Sequence, residues 1–105
     1  MAITDPNKID FISTQENNIF LTISDHLDWE DPSFHLQALQ TKLNSYIAFI
    51  ESGEIYETYP YAKGRRLIIE ITSPYGLSKE GTLFLKKATS VLSSINIELN
   101  HRVIE

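Results

Sequence analysis

Residues 67–72, which read LIIEIT, give the strongest strand pattern in the chain. Most of these side chains are apolar and β-branched, and such residues suit a pleated, buried strand. Residues 73–76, SPYG, follow directly and are typical turn formers. A helical pattern lies on each side of the run, so this segment predicts a strand that falls between two helices in the chain.

The helix before this strand is predicted at about residues 32–52. It starts at Asp31-Pro32, where the carboxylate can accept bonds from free N–H groups and proline removes no helical donor. Gly53 stands where a left-handed terminating residue is favoured. An apolar stripe at spacings of three and four predicts the buried face: Leu36, Leu39, Leu43, Tyr46, Ile47 and Ile50.

The helix after the strand begins at Ser78, and Gly81 in its first turn weakens the helical pattern slightly. Its apolar stripe consists of Phe84, Leu85, Ala88, Val91, Leu92 and Ile95. Beyond this helix, Ile97, Leu99 and Val103 predict a last strand.

Two short strands are predicted earlier in the chain, over residues 9–13 and 19–24, and they read as a hairpin. A helical turn is expected at residues 55–58, before a loop. The order is therefore β-β-α-β-α-β in a single α+β domain spanning residues 1–105. Because each helix has one apolar stripe, both should cover one face of a four-stranded sheet in a two-layer sandwich. The open sheet face or edge is then a possible homodimer surface.

Composition and charge narrow the classes of function. Residues 1–59 hold ten Asp or Glu against two Lys, and the remainder holds four acidic against seven basic residues. This asymmetry favours a cationic partner or head-to-tail self-association, while the overall acidity disfavours DNA and leaves RNA or a small anion open. The chain has no Cys, and residues 1–10 lack the apolar core of a signal peptide. We therefore expect a cytoplasmic protein that makes no membrane contact.

Residues 24–31, SDHLDWED, precede the first helix and combine four carboxylates with a histidine and the only tryptophan. A metal site here would use His26 and Asp28, with His35, as nitrogen and oxygen ligands. Their spacing lacks the i, i+4 pair that makes such a motif specific, so we expect no metal and no cofactor.

The structural interpretation of the same stretch assigns its residues to starting the helix. Asp25 and Asp28 would turn the chain by accepting backbone N–H bonds. Glu30 and Asp31 would complement the positive end of the helix. The two remaining large side chains, Leu27 and Trp29, would anchor the stretch in the core.

An enzyme would need His26 poised by a carboxylate beside a cleft, and no nucleophile elbow or glycine-rich phosphate loop completes such a site. No catalytic residue is therefore assigned. Residues 63–66, KGRR, could bind a phosphate or stack against a nucleic-acid base. A solvated loop is the commoner role for such a segment. The candidate binding residues are Asp25, His26, Asp28, Trp29, Glu30, Tyr59, Tyr61, Lys63, Arg65 and Arg66.

Three motifs resemble a family of small bacterial proteins of unknown function. They are Asp-His-Leu-x-Trp at residues 25–29, Phe-Ile-Glu-Ser-Gly at residues 49–53 and Tyr-Pro-x-Ala-Lys-Gly at residues 59–64. The resemblance covers nearly the whole chain and implies a free-standing bacterial domain, without assigning an activity.

In size, acidity and lack of cysteine, the chain also resembles bacterial immunity proteins, which neutralise toxins. We expect a protein-binding module that is homodimeric, partner-binding or both, because the sequence offers surfaces for association and no complete catalytic set. The alternative is a small enzyme, or a metal- or anion-binding protein, that uses His26 and Asp28 or the loop at residues 63–66.

Overall fold

The computed structural model describes residues 9–104 and confirms the predicted order of elements. The strands are β1 (Phe11–Gln15), β2 (Asn18–Ser24), β3 (Arg66–Ser73) and β4 (Ile97–Val103). The helices are α1 (Pro32–Glu51), α2 (Glu54–Thr58) and α3 (Lys79–Ser93), and a 3₁₀ turn at Pro60–Ala62 follows α2. The expectation about a signal peptide falls mostly on residues 1–8, which lie outside the described residues.

All four strands form one sheet in the order β1-β2-β3-β4. β1 and β2 form an antiparallel hairpin, whereas β2, β3 and β4 run parallel to one another. α1 connects β2 to β3 and α3 connects β3 to β4, so both crossovers advance in the same direction across the sheet. Because crossovers of this kind are right-handed, both helices lie on one face, as the sequence predicts.

The hydrophobic core lies between the helices and this face of the sheet. Alternate residues of β2 and β3 point into it, as the two-residue period of a strand requires: Ile19, Leu21, Ile23, Leu67, Ile69 and Ile71. From the helices, Leu39 and Leu43 of α1 and Leu85 and Leu92 of α3 complete the cluster. Burial of these side chains is the main driving force for folding.

The helix ends follow the sequence prediction. Asp31 Oδ1 accepts a hydrogen bond from the Phe34 N–H at 3.2 Å, and Ser78 Oγ accepts one from the Gly81 N–H at 3.0 Å. Each side chain therefore satisfies a free N–H group in the first turn of its helix. After α1, Gly53 has a φ of +82°, a conformation in which a side chain would be strained.

Two details differ from the predicted helix faces. The buried face of α1 includes His35 and Lys42 and leaves Leu36 only half-buried, because each of the two polar side chains meets a buried carboxylate. Val91 was expected in the apolar stripe of α3 but is 62% exposed. Leu92 points towards the sheet, and Val91 lies about 100° away from it around the helix.

The second face of the sheet carries charged side chains along β3 and β4, on either side of the buried Ile68. Arg66 pairs with Glu98, and Arg102 Nη2 lies 3.4 Å from Glu70 Oε1. Since β2 pairs with β3 from Asn18–Arg66 to Ser24–Thr72, the acidic and basic halves of the sequence meet along the middle of one sheet. Within residues 9–104, no helix is both long enough and apolar enough to cross a membrane.

Candidate functional site

The stretch between β2 and α1 lies at the edge where the parallel strands end. β2 ends at Ser24, β3 at Ser73 and β4 at Val103, and α1 and α3 both begin just after a strand at this edge. Parallel units bind ligands at the carboxyl ends of their strands, because the loops there converge. This edge is therefore the favoured position for a site in the fold.

Asp25 is buried here and makes three separate bonds. Its N–H donates to the Thr72 carbonyl at 2.8 Å, which extends the ladder between β2 and β3. Its Oδ1 accepts a bond from the Leu27 N–H at 3.1 Å, and its Oδ2 lies 2.5 Å from His35 Nε2. The predicted turn-forming role of Asp25 is confirmed, and the bond to His35 adds a tertiary contact to it.

His35 is only 1% exposed, and both of its ring nitrogens are bonded. Nδ1 lies 2.9 Å from the Asp28 carbonyl oxygen, and because a carbonyl only accepts, Nδ1 carries a hydrogen. The contact of 2.5 Å between Nε2 and Asp25 Oδ2 needs a second proton between the two groups. Neither nitrogen is left to bind a metal or to accept a proton from a substrate.

Trp29 covers this ion pair. Its ring stacks on that of His35, with centroids 3.7 Å apart and planes inclined by 24°. The ring also lies against Gly81 of α3, where a Cβ would be 2.7 Å from two Trp29 ring carbons. Gly81, which weakens the helical pattern in the sequence, is thus the residue that lets Trp29 approach α3. The predicted anchoring role of Trp29 is confirmed.

Above these buried groups lies a set of exposed side chains that we call the acidic corner: Asp28, Glu30, Asp31 and Phe34. Asp28 Oδ1 accepts a bond from the Glu30 N–H at 3.0 Å, which confirms its predicted turn-forming role. Asp31 caps α1, and Phe34 is 52% exposed. Among the described residues, the Glu30 carboxylate makes no hydrogen bond or ion pair. The corner therefore presents negative charge beside an aromatic ring.

The residues considered as candidate metal ligands are not brought together. His26 is exposed, whereas His35 is buried and fully bonded. Within residues 9–104, no group of three or more His, Asp or Glu side chains is placed to hold a metal ion.

A third histidine, His101 of β4, lies on the side of the sheet that the helices cover. Its Nε2 is buried and has no hydrogen-bond partner within residues 9–104. Burial lowers the pKa of His101 below its ordinary value of 6.5, and the nearby charge of Asp25 acts in the opposite direction. The carboxylate of Asp25 therefore influences two histidines, one by a direct bond and one through space.

A second buried polar cluster lies further along α1. Lys42 Nζ donates to Asp10 Oδ1 at 3.0 Å, and the two side chains are 0% and 4% exposed. The Tyr46 hydroxyl donates to the Thr22 carbonyl at 2.5 Å and accepts from the Asp10 N–H at 2.8 Å. Burial raises the pKa of Tyr46 above its usual range, so this phenol stays protonated. The cluster attaches the start of the hairpin to α1.

The predicted basic loop lies at the opposite edge of the sheet. Tyr59 and Tyr61 make an edge-to-face contact, with ring centroids 5.6 Å apart, and Lys63 is exposed. Arg65 donates to the Tyr61 and Glu16 carbonyls at 2.7 and 2.8 Å. Arg65 is thus used to hold the loop, and Arg66 is paired across the sheet.

Arg65 and Arg66 line a groove of about 950 Å³ between the ends of α1 and α3. The last turns of both helices contribute to its wall, and helix carboxyl ends carry partial negative charge. Glu51 and Glu98 add two carboxylates. This setting gives a phosphate little electrostatic attraction, so the anion-binding interpretation gains no support from the groove.

The predicted site residues therefore divide into two groups at opposite edges. Asp25, His26, Asp28, Trp29 and Glu30 are close together, as their sequence positions require, and only some of them are exposed. Three features of this edge were not predicted: the exposed Phe34, the close approach of Trp29 to Gly81, and the unpartnered Nε2 of His101. The polar contacts of Lys42 and Tyr46, which hold the hairpin, were not predicted either. The alternation of β4 could have placed His101 on the covered face. The residues next to His101 in the sequence do not indicate that Asp25 lies near it.

One of three comparisons with known proteins supports the coarser part of the resemblance, which is membership of a family of unknown function. No curated protein and no solved structure matches the chain. A family model does match it, over residues 1–105. The chain belongs to DUF6572, a family of unknown function.

Proposed function

We propose that this protein is a binding module whose acidic corner engages a basic partner protein. One observation carries the proposal: within residues 25–35, Asp25, Trp29 and His35 are fixed underneath, while three carboxylates and Phe34 remain at the surface. Two of these carboxylates have structural roles. Glu30 has none among the described residues, so its charge is available to a partner.

The support beneath the acidic corner matters for affinity. Binding costs free energy whenever a loop must be ordered, and a surface that is already fixed avoids much of that cost. Exposed aromatic side chains such as Phe34 are typical centres of protein interfaces. Carboxylates around them steer a positively charged partner and raise the rate of association. The corner combines these three properties.

The chemistry of the corner defines the class of partner. A basic protein with an apolar pocket for Phe34 would be complementary to it. A cationic toxin is one such protein, and the resemblance of the chain to immunity proteins in size and charge favours testing toxins first. Catalysis has less support, because His35 pairs with Asp25 and both of its ring nitrogens are already bonded.

The proposal is tested by affinity capture from a lysate of the native host with three immobilised proteins. They are the wild type, Glu30→Lys and Glu57→Lys. Glu57 is an exposed residue of α2, so its substitution is a control with the same change of charge. We expect one basic protein to be retained by the wild type and the control, and to fall about tenfold or more with Glu30→Lys. Retention of no protein, or equal retention by all three, would contradict the proposal.

A further inference from the structure

The outer edge of β4 leaves backbone hydrogen-bonding groups open. β4 is the last strand of the sheet, and within residues 9–104 no strand pairs with its outer side. The Ile104 N–H donates inward to the Ser73 carbonyl at 2.8 Å. Because backbone groups alternate along a strand, the even-numbered residues of β4 also face β3. The N–H and C=O groups of the odd-numbered residues face outward: Ile97, Leu99, His101 and Val103.

β4 carries the charged residues Glu98 and Arg102, but it lacks other features that protect edge strands. β4 contains neither proline nor lysine, and it pairs with β3 without a bulge from Leu67–Ile97 to Ser73–Val103. The opposite edge, β1, is shorter, with five residues against seven. Of the two edges, β4 is the better template for an added strand.

The sequence of β4, IELNHRV, is complementary to itself in the antiparallel direction. If a second copy lies beside it with the two-fold axis at Asn100, Glu98 stands opposite the partner's Arg102. Arg102 in turn stands opposite the partner's Glu98. On the side that the helices cover, Ile97 meets the partner's Val103. Opposite charges and apolar side chains that face each other across strands both stabilise a sheet.

The hydrogen bonds require the same alignment. In this register, the outward-facing odd residues lie opposite one another, in four pairs that exchange about eight N–H···O=C bonds. Glu98 and Arg102 then occupy non-hydrogen-bonded positions, where facing side chains come closest. Shifting the register by two residues in either direction separates Glu98 from the partner's Arg102. Charge and backbone geometry therefore select one arrangement.

The existing ion pairs would continue across the new interface. Glu98 already pairs with Arg66 and Arg102 with Glu70, and the Arg102 side chain is 62% exposed. A row of alternating charge would result: Arg66, Glu98, the partner's Arg102 and the partner's Glu70. Since exposed pairs are individually weak, the network adds to the backbone bonds rather than replacing them.

We infer that the protein forms a two-fold symmetric dimer by antiparallel pairing of β4 with β4 of a second copy, which joins two four-stranded sheets into one. The interface is isologous and therefore closed, so it does not propagate into fibres. Each acidic corner follows the carboxyl end of β2. Because the two copies run antiparallel, the two corners lie at opposite ends of the strands of the joined sheet. This inference concerns a different surface from the proposed function and does not depend on it.

A charge-swap experiment followed by sedimentation equilibrium tests the inference. We expect the wild type to dimerise, and Arg102→Glu and Glu98→Arg alone to weaken the dimer about tenfold, because each puts two like-charged pairs across the interface. Mixing the two variants should restore dimerisation as a heterodimer, since each Glu then faces an Arg. Matched controls are Glu70→Arg and Arg66→Glu, which lose the same internal ion pairs on the inner strand.

Circular dichroism of each variant establishes that it is folded before its assembly is interpreted. A wild type that stays monomeric up to about millimolar concentration would overturn the inference. So would a dimer that both single variants leave unchanged, or a mixture that shows no preference for the heterodimer. These results leave the proposal for the acidic corner untouched, because β4 and the corner are different surfaces. The Glu30→Lys variant, which tests the corner, likewise leaves β4 unaltered.

Discussion

Asp10–Lys42 and Asp25–His35 are both buried ion pairs on one face of α1, two helical turns apart, and they attach different parts of the chain to the helix. The first joins residues 32 apart in sequence and fixes the hairpin to α1. The second joins residues 10 apart and fixes the acidic corner. One face of α1 therefore supports both the fold and the candidate site, and substitutions in the two pairs can separate these roles.

The largest effect should come from the pair that holds the fold. Lys42→Ala leaves the Asp10 carboxylate buried and without its cation, and we expect the free energy of unfolding to fall by about 3–5 kcal/mol. Urea denaturation measures it, with exposed Lys86→Ala as a control that changes stability by about 0.5 kcal/mol or less. A loss below about 1 kcal/mol would show that Lys42 does not hold the hairpin.

Breaking the second pair should cost less and should act on the corner. His35→Ala leaves Asp25 with its bond from the Leu27 N–H, and we expect a loss of about 3 kcal/mol. It also removes the ring that stacks on Trp29, so the tryptophan emission of the folded variant should shift. Lys42→Ala should leave that emission unchanged. Equal shifts in both variants would show that the two ion pairs support the corner to the same extent.

His26→Ala is the matched control for His35→Ala, because His26 is exposed and lies beside the same corner. We expect little change in stability and a loss of partner affinity of about 1 kcal/mol or less, as for a contact at the rim of an interface. If His26→Ala instead abolished a catalytic activity found by screening, the enzyme interpretation would replace the binding one.

Gly81→Ala probes the corner from α3. Alanine normally stabilises a helix relative to glycine by about 0.5–1 kcal/mol. Here its Cβ would lie 2.7 Å from the Trp29 ring, so we expect destabilisation of about 1–3 kcal/mol and a shifted tryptophan emission. Gly76→Ala is the control, since a Cβ there meets nothing within 4 Å. A stabilised Gly81→Ala protein would mean that Trp29 does not pack on α3.

A smaller effect is expected at the start of α1. Asp31→Ala removes the bond to the Phe34 N–H and should lower the free energy of unfolding by about 1 kcal/mol. Thermal melting measures the change. Asp31→Asn, which can still accept that bond, should recover most of it, and a variant pair that melts identically to the wild type would show that the cap contributes nothing.

The smallest effect concerns pH. The pKa of His101 is lowered in the folded state, so below its ordinary value of 6.5 the unfolded chain binds a proton that the native protein does not. His101 therefore makes stability fall as the pH falls through this range. Relative to His101→Gln, the wild type should lose stability between pH 7.5 and 5.5 in urea denaturation. A difference that is constant with pH would contradict the assignment.

Much of the fold could be predicted because local signals agree. The cap at Asp31, the stop at Gly53 and the run at residues 67–72 each describe their own neighbourhood, and the structure confirms all three. The polar members of the α1 face could not be predicted in this way. Periodicity identifies faces from apolar residues, whereas Lys42 is buried with its ammonium paired to Asp10, which is distant in sequence.

The candidate site was predictable in part for the same reason. The turn-forming bonds of Asp25 and Asp28 involve residues two positions away, and their spacing indicates them. The bond from Asp25 to His35 and the contact of Trp29 with Gly81 depend on tertiary packing. Sequence reasoning could therefore locate the corner, but it could not say which of its carboxylates are fixed and which are exposed.

Association kinetics with the captured protein at several salt concentrations show whether the acidic corner binds a basic partner. For Glu30→Lys, we expect a slower association rate than the wild type and a flatter salt dependence, because charge steering acts mainly on association. Glu57→Lys should retain the wild-type salt dependence. If Glu30→Lys and Glu57→Lys change the rate equally, net charge alone explains the association, and the corner is not the binding surface.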